Sequence, residues 1–138
     1  MLVNGAVIAG KGAVKGRSAE EIEQIRVVLR ERYESLDTEY SLAVAENHKL
    51  RLVEIGDAAG DDQADSGSKT AERDAATSLL RTLLDRRTQA EAALQRLDEG
   101  TYGNCEGCSQ PIPAARLEVF PSATTCVACK STRERRAG

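Results

Sequence analysis

An all-α fold is predicted for this 138-residue chain: an antiparallel coiled-coil hairpin, then a small four-cysteine zinc-binding module with a short C-terminal helix. Three observations predict it. Two long runs place apolar residues at alternating steps of three and four. A break rich in Gly and Asp separates them. Two Cys-x-x-Cys pairs lie near the C-terminus.

The composition suits this architecture. Three Tyr, one Phe and no Trp leave little from which to build a broad globular core, and charged residues make up 30% of the chain. Narrow apolar stripes facing a single partner helix need no more. The net charge is −3. Its distribution is an acidic middle and a mildly basic tail, with no dominant basic face, which disfavours binding nucleic acid through phosphate neutralisation. No segment approaches the ~20 apolar residues needed to span a bilayer. The apolar patch Ala6–Ala9 is too short and wrongly flanked for a signal peptide. A cytoplasmic protein in a reducing compartment is expected, where paired Cys-x-x-Cys motifs read as metal ligands before disulfides.

Residues 1–17 are glycine-rich and show no period, so a flexible arm is expected. Within it, Gly5 to Lys11 imitates the start of a phosphate loop. Gly12 follows Lys11 where such a loop needs Ser or Thr for Mg²⁺, and that reading is set aside. Ser18 and Glu21 form a capping-box pattern. After it come Ile22, Ile25, Leu29, Tyr33, Leu36, Tyr40, Ala43, Asn47, Leu50 and Val53. Nothing breaks Ser18–Ile55, which predicts a helix about 57 Å long. Residues 56–68 read as a turn. A second stripe follows: Ala76, Leu80, Leu83, Arg87, Ala90, Leu94 and Leu97, with Gly100 as C-cap. Two long helices joined by one short connection should fold back on each other, so residues 18–99 are expected to form the hairpin, with an acidic tip at 57–68.

Cys105, Cys108, Cys126 and Cys129 carry the strongest chemical signal. Seventeen residues separate the pairs, within the range for four-thiolate zinc sites. Each Cys-x-x-Cys turn presents two sulfurs on one side of the backbone, and two such turns complete a tetrahedron. Four protein ligands leave no position for water, so one structural Zn²⁺ is expected and no catalytic residue is assigned. The lone histidine, His48, falls within the first helix and reads as a surface residue.

The stretch from Gly100 to Lys130 resembles the DksA/TraR family of bacterial regulators that bind RNA polymerase. Gly100, Tyr102, Gly103, the four cysteines, Ile112, Arg116, Leu117, Pro121 and Ala123 match the family pattern. Ser109 departs from it, standing where the family usually has Gly. The resemblance implies a hairpin inserted into the polymerase secondary channel, with Asp62 and Asp65 as tip carboxylates. Gly67 stands where the family's tip has Ala, and Asp61 is a neighbour able to substitute. It implies RNA polymerase as partner, a monomer, no sequence-specific DNA contact and no membrane. Of the family's ppGpp-binding positions Lys130 matches, whereas Thr82 and Gln89 replace basic residues, so no ppGpp site is predicted. The alternatives are a nucleic-acid-binding zinc finger, or a coiled-coil adaptor with zinc as a clamp.

Overall fold

The computed structural model describes residues 16–57 and 63–137. Four helices follow in order: α1 (Ala19–Asp57), α2 (Gln63–Glu99), α3 (Ala114–Val119) and α4 (Val127–Ala137). Among the described residues the one β-type pairing is an isolated bridge between Asn104 and Pro111. The glycine-rich arm before Gly16, with its Gly5–Lys11 loop, lies outside the described residues.

The Ser18 hydroxyl accepts from the Glu21 N–H at 3.1 Å, and the Glu21 carboxylate accepts from the Ser18 N–H at 2.9 Å. That reciprocal pair satisfies two donors that a helix start leaves open. Both apolar stripes face inward as their spacing demands. Along α1, Ile22, Leu29 and Leu36 are buried, and Tyr33, Tyr40, Ala43, Asn47 and Leu50 are half-buried. The stripe fails at its end, where Val53 is 56% exposed. Along α2, Leu83, Ala90 and Leu97 are buried, and Ala76, Leu80, Arg87 and Leu94 are half-buried. Arg26 pairs with Asp98, and Arg87 pairs with Asp37 at 2.7 Å. Moving up α1 from Arg26 to Asp37 thus moves down α2 from Asp98 to Arg87, which is antiparallel pairing.

The helices reach further than the sequence implies. Gly56 and Asp57 complete α1, and Gln63–Ser68 already belong to α2, so most of the expected turn 56–68 is helical. The physical reason is that neighbouring helical turns override the weak propensity of isolated Gly and Asp residues. Residues 58–62, including Asp61 and Asp62, lie outside the described residues.

The chain divides into two compact units. One comprises the chain up to Tyr33 and from Thr88 onward; the other is Glu34–Arg87. In the first, Ile22 and Leu29 of α1 and Ala93 and Leu97 of α2 join Tyr102, Cys105, Ile112, Leu117 and Ala123 in one apolar cluster. In the second, Leu36 and Leu83 are the buried apolar residues, and Arg87 lies over the Tyr40 ring, 4.8 Å from its centroid.

Candidate metal centre

The approach to the first Cys-x-x-Cys turn is set by how α2 ends. Gly100 takes φ +81°, a conformation that disfavours any residue with a Cβ. The Thr101 and Tyr102 N–H groups then donate to the Arg96 carbonyl at 2.9 and 3.1 Å. This closes the helix as its glycine predicts. The Arg96 guanidinium bonds the carbonyls of Thr101 (3.2 Å) and Asn104 (2.5 Å). The buried Tyr102 donates its hydroxyl to the Pro121 carbonyl at 2.8 Å, tying the segment before the first cysteine to the loop before the third. Arg116 donates from Nε to the Thr125 carbonyl at 3.1 Å, one residue before Cys126.

The two knuckles converge. The four sulfur atoms lie within 4.8 Å of one another, the one such group of potential metal ligands among the described residues. Cys108 Sγ and Cys126 Sγ are 3.8 Å apart. Cys105 is buried, Cys126 and Cys129 are half-buried, and Cys108 is exposed. In the first knuckle Ser109 donates its N–H to the Cys105 carbonyl at 2.9 Å, and Cys105 donates its own to the Gln110 carbonyl at 2.8 Å. Cys126 immediately precedes α4 and Cys129 lies in its first turn, where the helix end favours negative sulfur. Gly107 must be small: a Cβ there would sit 3.0 Å from Cys129 Sγ and 3.3 Å from its Cβ.

The electrostatics separate the thiols. Burial acts to raise the pKa of Cys105, but backbone N–H groups, including those of Cys126 and Gly107 at 3.3 Å from its sulfur, outweigh it and bring the pKa to about 6. Cys129 is pushed up to about 12, chiefly by hydrogen bonds to the sulfurs of Cys105, Cys126 and Cys108. Four sulfurs this close cannot all ionise by themselves, because like charges crowd one another. A dication relieves that conflict. The donor set, its close clustering and the N–H···S bonds therefore suit one Zn²⁺, held by all four cysteines with no open position.

The other expected site residues are those of the acidic tip. Asp62 lies outside the described residues. Asp65 is in the first turn of α2, and Gly67, also in α2, is exposed. Sequence reasoning did not find Arg96 as a support of the first knuckle. Nor did it find Glu106, whose carboxylate stands 3.9 Å from Arg133 of α4. The only signal for Arg96 is its place one turn before Gly100, because carbonyls after a helix end need donors.

Comparison with known proteins agrees with this geometry. Residues 100–135 match the prokaryotic dksA/traR C4-type zinc finger. An RNA polymerase-binding transcription factor DksA of Caulobacter vibrioides is 43% identical over 49 residues, 36% of this chain and 34% of that protein. The match thus spans about a third of that relative's length. Protein TraR of Escherichia coli is 52% identical over 31 residues, covering 22% of this chain and 42% of that one. The structure of transcription factor DksA2 from Pseudomonas aeruginosa superimposes with a TM-score of 0.65 at 26% identity, covering 87% of this chain and 88% of that chain. Residues 100–135 thus carry the zinc finger of the dksA/traR group, and the chain is similar to DksA2 in fold along most of its length.

Proposed function

We propose that this protein is a transcription regulator that binds RNA polymerase directly and inserts its helical hairpin into the secondary channel. The observation that carries the reading is the likeness to DksA2 over 87% of the chain, together with the matched zinc finger. A helical rod with carboxylates at its connection can bring negative charge to a Mg²⁺ ion or to basic elements of a deep channel. In this reading Asp62 and Asp65 modulate initiation, with Gly67 two residues after Asp65 in the sequence and Asp61 able to substitute. The zinc ligated by Cys105, Cys108, Cys126 and Cys129 supplies rigidity and takes no part in chemistry. The protein acts as a cytoplasmic monomer, without catalysis and without sequence-specific DNA contacts. No ppGpp site is assigned, because Thr82 and Gln89 offer no cation. Among the described residues no helix is long and apolar enough to cross a membrane.

The test is co-purification with the cognate RNA polymerase, followed by measurement of promoter-complex lifetimes. The wild type should bind and change those lifetimes. Asp62→Asn/Asp65→Asn should bind with comparable affinity and lose most of the effect. Absence of wild-type binding would overturn the reading. Full activity of the double variant would remove the two aspartates from it.

A further inference from the structure

The Glu34–Arg87 unit is packed unevenly along its length. Leu36 and Leu83 are buried, and Asp37, Arg87 and Tyr40 interact beside them. Further along α1 the packing changes. Asn47 occupies a stripe position, and its Oδ1 is buried without a hydrogen-bond partner. Beyond it Leu52, Val53 and Ile55 are 55%, 56% and 74% exposed, so this end gains little from apolar burial.

Gly56 and Gly67 add to this. Both lie within helices, where glycine is the weakest former short of proline. Neither has a left-handed backbone, and a Cβ on either would meet nothing within 4 Å. No local steric demand explains them. Gly56 lies nineteen residues past Asp37 on α1, and Gly67 lies twenty before Arg87 on α2, so the antiparallel register puts them at about the same level. One partnerless amide oxygen, two helix-weakening glycines and three exposed apolar residues therefore fall in the same section.

From this we infer that the described stretches beyond Asn47, residues 48–57 of α1 and 63–75 of α2, form a separate low-stability unit, opening locally while the Leu36–Leu83 layer stays folded. Asn47 marks its boundary, since a buried unpaired carbonyl oxygen weakens packing where it sits. Gly56 and Gly67 lower the cost of unwinding each helix. Local opening of this kind is expected where buried apolar contacts are few. The inference concerns the free protein and stands whether or not the chain binds polymerase.

The test is native-state hydrogen exchange on the full, zinc-loaded chain, with variants chosen to leave the fold intact. In the wild type, amides in 50–57 and 67–75 should exchange at least about tenfold faster than those near Leu36 and Leu83, after correction for intrinsic rates. Gly56→Ala and Gly67→Ala should each slow that distal exchange about fivefold. Asn47→Leu should slow it about tenfold by removing the unpaired group. None should change exchange at Ile22–Leu29. Equal protection along the whole unit in the wild type overturns the inference, as does distal exchange unchanged in all three variants.

Discussion

Ser109 takes φ +64°, left-handed backbone in which a Cβ is crowded by the neighbouring carbonyl. It follows Cys108 directly, and its N–H must reach the Cys105 carbonyl to close the first knuckle. The departure from the family pattern at this position is thus a strained residue in a turn that keeps its shape. Ser109→Gly should stabilise the zinc-loaded protein by about 1 kcal/mol, read as a higher thermal midpoint at unchanged zinc stoichiometry. A lower midpoint would mean that Ser109 carries a contact worth more than its strain. Gly107 is the opposite case. Gly107→Ala would press a methyl against Cys129 Sγ, so zinc affinity measured against a competing chelator should fall about tenfold or more. An unaltered affinity would show that α4 can give way.

At the scale of the element, the start of α1 was legible in four residues. Ser18 and Glu21 imply the cap, and the structure forms it in both directions. Hydrogen bonding from the Ser18 backbone holds the Glu21 carboxyl below its ordinary value of 4.5. A carboxyl depressed in the folded state stabilises fully above its unfolded pKa and loses that contribution as pH falls through the folded value. Glu21→Ala should therefore lower the thermal midpoint at neutral pH, and the gap to wild type should narrow below about pH 4.5. A gap independent of pH would detach Glu21 from the cap. The inward stripes were equally legible, because a step of three and four is the helix period itself. Leu29 has no exposed surface and is one of the largest fully buried side chains, and Leu29→Ala should cost roughly 2–5 kcal/mol, the usual cavity range. Denaturant unfolding would check that. The ends of the stripes were less legible. The Gly and Asp content of 56–68 signalled a turn, yet residues on both sides of 58–62 are helical, since neighbouring helical turns can override weak propensity.

At the scale of the molecule, the four ligands could be named from spacing alone, whereas what the zinc module packs against could not. Spacing reports periodicity and ligand geometry but not which apolar residues meet across a hundred positions. In the structure Tyr102, Cys105, Ile112, Leu117 and Ala123 do not form a core of their own; they share one cluster with Ile22, Leu29, Ala93 and Leu97. Five apolar positions are too few for an independent core once zinc is gone, because binding free energy is folding free energy in so small a module. Metal removal should therefore loosen both the knuckles and the helix segments that lean on them. Treatment with a strong zinc chelator is expected to release one Zn²⁺ per chain and abolish amide protection in residues 102–126. It should also raise exchange at Ile22–Leu29 and Ala93–Leu97 at least about tenfold. Helical signal should fall only in part, because Leu36, Leu83 and the Arg87–Asp37 pair make their contacts without the cluster. Unchanged exchange at Ile22–Leu29 and Ala93–Leu97 after zinc loss would show that the module is an appendage. Raised exchange there would make the metal a determinant of how firmly the base of the helix pair is held.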